Sequence, residues 1–184
     1  MTFNIFKTWG KHYTEKHFAL RSWDTLQDMY FDVKSEIIWS MWESNLIMLW
    51  ECDMKKDTLI VQSWGKYVKD LMFMSFPLVF FISPKLRNIL LENNITWWKS
   101  FSIDLKSKKN EDINWYHVLQ VTWRAERTWN QDKNYIGPLS AKNWDGSDMY
   151  IIDWTLSIHI TPRVKEIIQR EKIDGVRFKE SFVE

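Results

Sequence analysis

The sequence has few of the residues that build several common kinds of site. Its 184 residues include one cysteine, Cys52, so an intrachain disulfide is impossible and a reducing compartment is favoured over secretion. With five glycines and no Gly-rich motif, a backbone cradle for phosphate groups is not expected. The longest apolar runs are too short to span a membrane. The first residues lack the basic and apolar regions of a signal peptide, so we expect a cytoplasmic protein.

The chain also lacks an excess of either charge and the motifs of common enzymes. With 25 basic and 24 acidic residues, it gives no electrostatic reason to expect binding to nucleic acid or to an anionic membrane. No cysteine or carboxylate completes a zinc site with the four histidines, and the stretch 145–148, DGSD, lacks the further carboxylates of a calcium loop and predicts a turn. We therefore expect no metal, no cofactor and no enzymatic activity. The histidines are His12, His17, His117 and His159.

Tryptophan, by contrast, is abundant, with 13 residues spread along the chain. An indole combines a large apolar surface with one N–H group, which suits cores and interfaces alike. Because a domain of this size cannot bury all of them, we expect several to be partly exposed. Trp97 and Trp98 are adjacent in a predicted strand, so they should point to opposite faces, one of them into the core.

Two segments of the chain resemble each other. Residues 81–95 read FISPKLRNILLENNI and residues 159–173 read HITPRVKEIIQREKI, and they align without a gap at an offset of 160 − 82 = 78. Each begins with an apolar strand-like run, followed by a hydroxyl residue, a proline and a helical apolar stripe, and further apolar runs follow. Chance similarity between two amphipathic helices is the alternative. We predict a duplicated strand–helix–strand unit within one α+β domain.

The start of each predicted helix has local signals. Ser83 and Thr161 are expected to cap the helices by accepting a backbone N–H, and Pro84 and Pro162 suit the first helical position. The residues predicted to be buried are Leu86, Ile89, Leu90, Val164, Ile167, Ile168 and Phe178.

Two pairs of aligned positions raise further questions. Gly175 marks a turn that needs a permissive backbone, and because Trp97 occupies the aligned position, we expect the two turns to differ. Lys85 and Arg163 lie in the first turn of their helices, against the preference of the helix dipole for acids there. Either they bind an anion or an acidic group of a partner, or they point away and pair with nearby carboxylates.

The rest of the chain predicts connecting strands and loops. Residues 105–114 are charged and predict a solvated hairpin loop, and residues 115–123 alternate as a strand does. A polar connection with a turn at Gly137–Pro138 follows, and then a strand from Met149 to Ile152. Residues 1–75 are mixed in pattern. No linker separates two domains.

Residues 76–182 resemble a family of bacterial immunity proteins that are encoded beside polymorphic toxins of contact-dependent competition. In that family, a motif [ST]-x-[RK]-[LV] opens a helix twice, with a strand Y-x-[LV]-x-V between the copies and I-x-G-[LV]-x-F at the end. The residues that carry the resemblance here are Ser83, Lys85, Thr161, Arg163, Tyr116, Leu119, Val121, Ile173, Gly175, Val176 and Phe178. The resemblance implies one immunity-type domain over 1–184, with a variable part at 1–75 and a duplicated core at 76–184.

The resemblance also implies a function. The protein is expected to be a cytoplasmic immunity protein that binds a cognate toxin domain and neutralises it by direct stoichiometric inhibition. A carbohydrate- or small-ligand-binding module that uses exposed tryptophans is the alternative. A third hypothesis is an enzyme that uses Asp145, Asp148 and His159.

We expect the toxin to bind where the chain departs most from the family pattern, because specificity for one toxin must be built where relatives differ. The candidate segments are the 105–114 loop, for electrostatic steering and rim contacts, and residues 123–134, for aromatic anchors. The predicted partner-binding residues are Lys108, Glu111, Asp112, Trp123, Arg124, Glu126, Arg127, Trp129 and Asp132.

Overall fold

The computed structural model of the chain describes residues 17–22, 30–33, 60–64, 67–75, 78–103, 105–113, 116–125, 127–130, 135–139, 145–152 and 157–181. These residues form an α+β fold of two short helices and fifteen strands. The helices are α1 (Pro84–Glu92) and α2 (Pro162–Arg170). The strands are β1 (His17–Ser22), β2 (Tyr30–Val33), β3 (Ile60–Trp64), β4 (Leu71–Ser75), β5 (Leu78–Ile82), β6 (Trp98–Ser102), β7 (Leu105–Lys106), β8 (Asp112–Ile113), β9 (His117–Val121), β10 (Arg124–Ala125), β11 (Arg127–Asn130), β12 (Tyr135–Leu139), β13 (Met149–Ile152), β14 (Ile158–Ile160) and β15 (Val176–Ser181).

The described strands form three larger sheets and one two-stranded ribbon. The strand orders are β10-β13-β14-β1-β15, β4-β5-β9-β6 and β2-β3-β7-β8 for the sheets and β11-β12 for the ribbon. Of the strand predicted over 115–123, the structure shows His117–Val121, and the strand predicted from Met149 to Ile152 is confirmed, as is the α+β class. The turn predicted at Gly137–Pro138 is wrong, because both residues lie within β12, whose partner is β11. A proline is compatible with a strand at the edge of a sheet, where the lost N–H bond is not needed.

The two helices begin and pack as the sequence predicts, with two exceptions. Both start with proline, and the three predicted stripe residues of each helix are buried. Ser83 Oγ accepts the Leu86 N–H at 3.2 Å, but Thr161 makes no side-chain cap to its helix. Phe178 is only partly buried, because it lies on the edge strand β15.

The four-stranded sheet with α1 and the five-stranded sheet with α2 have the same pairing pattern. Leu71 lies opposite Ile82 on antiparallel strands, and Met149 lies opposite Ile160, which places both members of the second pair 78 residues further along (149 − 71 and 160 − 82). In each sheet the helix leads from one strand, β5 or β14, to an edge strand, β6 or β15, and a third strand lies between those two. Residues from both sheets and both helices join one hydrophobic cluster.

The central strands of these two sheets come from distant parts of the described chain, β1 from its beginning and β9 from its middle. The strand β9 lies between β5 and β6, and β1 lies between β14 and β15. Ile82 lies opposite His117 and Ile160 lies opposite Phe18, which gives an offset of 117 − 18 = 99 between the central strands. The same offset holds for all the matching pairs of β9 and β1. A common origin of the two halves stays a prediction.

Candidate functional site

A partly buried carboxylate lies at the start of α1. Asp70 accepts a hydrogen bond from Ser83 Oγ at 2.6 Å, and Lys85 Nζ lies 3.5 Å from its second oxygen. The same oxygen accepts the backbone N–H of Asp174 at 3.0 Å. We call these four residues the first clamp. They show that Lys85 pairs with a carboxylate, which is the second of the two alternatives that the sequence left open.

The start of α2 has a matching arrangement around Asp148, whose side chain is 10% exposed. Arg163 NH1 donates to Asp148 Oδ2 at 2.8 Å, and Thr161 Oγ1 donates to Asp148 Oδ1 at 3.3 Å. Asp148 Oδ2 also accepts the backbone N–H of Thr96 at 3.1 Å and its hydroxyl at 3.2 Å. We call these four residues the second clamp. Here the hydroxyl of Thr161 serves the carboxylate instead of the helix cap.

The two clamps connect the halves of the molecule reciprocally. In each, the carboxylate belongs to one half and binds the backbone N–H of a turn in the other, and the turn residues Thr96 and Asp174 are again 78 apart (174 − 96). Lys85 Nζ also donates to the Lys172 carbonyl at 3.2 Å, and Arg163 NH2 to the Asn93 carbonyl. Both cations therefore bind the end of the opposite helix, which explains basic residues at these helix starts without an anion ligand.

The turns that enter the clamps share a backbone conformation. Trp97 has φ of 66° and Gly175 has φ of 80°, so the expectation that the turns differ is wrong for the backbone. Asn94 and Lys172, which precede these turns, each have φ of 50°. The side chains make the difference. A Cβ on Gly175 would lie 2.8 Å from Lys69 Cβ and would overlap the Leu71 carbonyl, whereas the Trp97 side chain is 45% exposed.

Trp97 is hydrogen-bonded to Thr122, the residue directly before the predicted contact segment 123–134. Its carbonyl accepts the Thr122 N–H at 2.8 Å, and Trp123 and Arg124 follow directly. Trp123 is half-buried, with its ring centroid 6.1 Å from that of Tyr150 in an edge-on contact, and Arg124 is exposed. The expectation that Trp97 lies in a strand is wrong, since β6 begins at Trp98, which packs against the core. In the sequence, the alignment of Trp97 with Gly175 was the signal that residue 97 lies in a turn and not in a strand.

The predicted loop at 105–114 is a hairpin over its described residues, 105–113. Leu105 pairs with Ile113, and Lys106 forms an ion pair with Asp112. The hydroxyl of Ser107 accepts the backbone N–H groups of residues 109 and 111, which fixes the turn. The three predicted contact residues of this hairpin are exposed, as a rim contact requires, and they are Lys108, Glu111 and Asp112.

The remaining predicted contact residues are placed only in part. Arg127 and Trp129 lie on β11, opposite Leu139 and Ile136 of β12. Glu126 and Asp132 lie outside the described residues. The described members of the predicted set therefore fall on three separate elements: the β7–β8 hairpin, the β10 end of the five-stranded sheet, and the ribbon.

The three residues of the enzyme hypothesis each make a structural contact in the folded chain. Asp148 belongs to the second clamp, and Asp145 Oδ1 accepts the Ser147 N–H at 2.9 Å, which confirms the predicted turn. His159 stacks on Tyr150 with the ring centroids 5.4 Å apart. Tyr150 Oη lies 2.6 Å from Nδ1 of the buried His17, and burial raises the pKa of Tyr150. Within the described ranges, no three His, Cys, Asp or Glu side chains form a group that could hold a metal ion.

Tyr116, directly before β9, and His117, its first residue, have shifted pKa values. Tyr116, a residue of the family motif, donates its hydroxyl to the Lys69 carbonyl at 2.9 Å. Burial, and then the negative charge of Asp70, raise the pKa of Tyr116 to about 12. Burial, and then the positive charge of Arg87 on α1, lower the pKa of His117. Tyr116 is therefore a neutral hydrogen-bond donor at neutral pH.

Comparison with known proteins leaves the family open. A scan against models of known protein families found no match, and a search among curated proteins found no relative. In the described part of the chain, no helix is long and apolar enough to cross a membrane. The resemblance to immunity proteins therefore stays a prediction.

Proposed function

We propose that this protein is a cytoplasmic immunity protein that binds one cognate toxin domain and inhibits it stoichiometrically, without catalysing a reaction. The observation that supports this best is how the motif residues are used. Ser83, Lys85, Thr161 and Arg163 all bind the carboxylates of the clamps, so the residues behind the resemblance hold the fold. A surface that selects one toxin then lies outside the motif, in exposed and charged connections such as the β7–β8 hairpin.

The proposed contact surface includes the described parts of both predicted segments. The β7–β8 hairpin presents Lys108, Glu111 and Asp112 to solvent, and charges of both signs suit electrostatic steering and a polar rim. Trp123 and Arg124 provide an aromatic group and a guanidinium, the groups most often found at the energetic centre of an interface. Arg127, Trp129, Glu126 and Asp132 complete the proposed set.

The test is protection from the toxin domain encoded beside this chain, in co-expression and by titration of the purified proteins. We expect a one-to-one complex and full protection by the wild type. Trp129→Ala and charge reversals at Arg124, Glu126 and Asp132 should weaken both the binding of the toxin domain and the protection from it. Charge reversal at Glu166, exposed on α2, is the matched control. If the wild type neither binds nor protects, the proposed function is wrong; if every variant protects fully while folded, the contact surface lies elsewhere.

One observation favours the alternative of a carbohydrate-binding module, the exposure of Trp97. An indole face that is open to solvent can stack on a sugar ring. Titration with a panel of oligosaccharides, followed by tryptophan fluorescence, decides between the two functions. A saturable quenching that Trp97→Gly abolishes, without any toxin binding, would support the carbohydrate alternative.

We also propose that the two halves are copies of one unit with exchanged central strands. In chain order, the first copy is β1, β4, β5, α1 and β6, and the second is β9, β13, β14, α2 and β15. Each central strand, β1 or β9, then lies in the sheet of the other copy. The shared registers, at offsets of 78 and 99, support this arrangement, and so do the shared left-handed turns.

The exchange predicts that neither copy folds without the other. Cutting the chain between Lys109 and Asn110, in the exposed turn of the β7–β8 hairpin, separates each sheet from its central strand. We expect each fragment alone to be unfolded by circular dichroism and the mixture to recover a cooperative unfolding transition. A fragment that folds by itself would contradict the exchange. A high-resolution structure in which the registers of the two sheets differ would contradict the duplication.

A further inference from the structure

Trp97 has a backbone conformation that a residue with a Cβ rarely adopts. Its φ of 66° lies in the left-handed region, where glycine and asparagine are the usual residues. Burial of the indole does not compensate for this, because the side chain is 45% exposed. Strained residues that the surrounding structure holds in place are concentrated at functional sites.

The surrounding structure holds Trp97 firmly on both sides. Thr96, the preceding residue, is bound to Asp148 through both its backbone N–H and its hydroxyl. The carbonyl of Trp97 accepts the Thr122 N–H, and the indole N–H of Trp98 donates to the Ile95 carbonyl at 3.0 Å. The indole of Trp97 therefore extends from a fixed backbone, which lowers the entropy that a partner has to remove when it binds.

The aligned turn in the other half shows that the fold does not need a tryptophan here. Gly175 adopts the same left-handed conformation, and it packs directly against Lys69 and Leu71. A glycine at position 97 would satisfy the backbone equally well and without strain. The indole of Trp97 is thus explained neither by the turn nor by the core.

The neighbours of Trp97 include two arginines. Arg163 binds the same oxygen of Asp148 as the Thr96 N–H, and Arg124 lies two residues beyond Thr122. The Arg163 side chain is 52% exposed although it is paired, and Arg124 is exposed. We call Trp97, Trp123 and Arg124 the Trp97 surface; Arg163 holds the second clamp and is not part of it.

We propose that the Trp97 surface is the anchor by which this protein holds the toxin domain. This inference rests on the proposed function and deepens it by describing the partner. The indole fits an apolar cleft of the toxin that contains an oxygen acceptor for its N–H, and Arg124 fits a carboxylate at the rim of that cleft. A uniformly acidic partner fits less well, because the exposed Asp145 lies only three residues before Asp148.

The experiment measures binding of the neighbouring toxin domain to the full chain by titration calorimetry. Trp97→Gly suits the left-handed backbone, so its fold is kept while the anchor is lost. We expect its Kd to rise by about thirty-fold or more, the effect of removing an energetic hot spot. Arg124→Ala should raise Kd by about five-fold, and Trp97→Phe should be intermediate because it keeps an aromatic group. The matched control is Tyr67→Ala, since Tyr67 is exposed close to the opposite turn.

The outcomes separate this inference from the proposed function. If the wild type binds the toxin domain and Trp97→Gly binds it equally tightly, the anchor is wrong while the immunity function stands. If the wild type binds no toxin domain, both are overturned. A Trp97→Gly variant that no longer binds an oligosaccharide, or that changes from dimer to monomer in sedimentation without any effect on toxin binding, assigns the surface to those partners and also overturns the anchor.

Discussion

The turn at Trp97 and the turn at Gly175 have the same backbone and opposite relations to their surroundings. Gly175 lies against Lys69 and Leu71 so closely that no side chain fits, whereas Trp97 extends a large indole towards solvent. Both turns follow a residue that binds a clamp carboxylate. The same left-handed turn therefore serves two purposes. At Gly175 it lets the backbone pack against Lys69 and Leu71, and at Trp97 it presents a side chain to solvent.

A second aligned pair shows the same kind of difference inside the molecule. Lys165 of α2 lies 3.7 Å above the ring of Phe18 in the central strand β1, a contact between a cation and an aromatic face. At the aligned positions of the first half, the cation is Arg87 and the ring is that of His117, whose pKa is lowered by burial and by Arg87. A cation lies near the central strand of both sheets, but at these aligned positions only the four-stranded sheet has a ring that can be protonated.

The largest effects are expected in the helical stripes, where the halves are most alike. Ile89 and Ile167 are aligned (167 − 89 = 78) and buried in the same cluster. Each isoleucine-to-alanine variant should lower the free energy of unfolding by about 2–5 kcal/mol, because it leaves a cavity in the core. Urea denaturation measures this. An unchanged midpoint for either variant would show that its helix does not pack as described.

Removal of a clamp carboxylate should have the next largest effect, and it should be larger for the second clamp. Asp148→Ala leaves the Arg163 guanidinium and the Thr96 N–H without their acceptor, at a cost of about 1.5–3 kcal/mol. Asp70→Ala should cost less, because its cation, Lys85, is more distant at 3.5 Å. Equal losses in thermal denaturation would mean that the two clamps are equivalent.

Substitutions at the two turns should have opposite outcomes. Gly175→Ala forces a Cβ against Lys69 and Leu71 in a left-handed backbone, which should cost about 1–3 kcal/mol. Trp97→Gly relieves the same strain and should leave stability unchanged or slightly higher. Guanidinium denaturation of both variants tests the pair. Destabilisation by Trp97→Gly comparable to that of Gly175→Ala would show that the indole supports the fold.

The smallest effect concerns stability at acid pH and involves His117 of β9, in the four-stranded sheet with α1. The folded chain holds the pKa of His117 below its usual 6.5, so the unfolded chain binds a proton more readily. This contribution to stability is therefore fully present above pH 6.5 and is lost as pH falls through the folded pKa. His117→Phe, which copies Phe18 of the other half, should lose less stability between about pH 7 and about pH 5 than the wild type. An identical decline in both would exclude a role for His117.

Much of the fold was predictable because its signals are local. The Ser83 cap, the prolines and the stripes of the two helices, the DGSD turn and the charged hairpin all depend on residues within a few positions of one another. The role of the clamp carboxylates was not predictable from local pattern, because Asp70 and Asp148 each lie 13 residues before the hydroxyl that they bind. The turn at Gly137–Pro138 was misplaced because pairing with β11 outweighs the local preference of these residues.

The sequence by itself determined the local elements of this protein, because helical stripes and turns are set by neighbours in the chain. The tertiary structure alone decided which strand fills the centre of each sheet. β1 pairs with β15 across most of the chain, from His17 with Ser181 to Ser22 with Val176, and no local pattern specifies that choice. Backbone hydrogen bonds between strands are alike everywhere, so the partner is fixed by the packing of side chains from distant segments into one core.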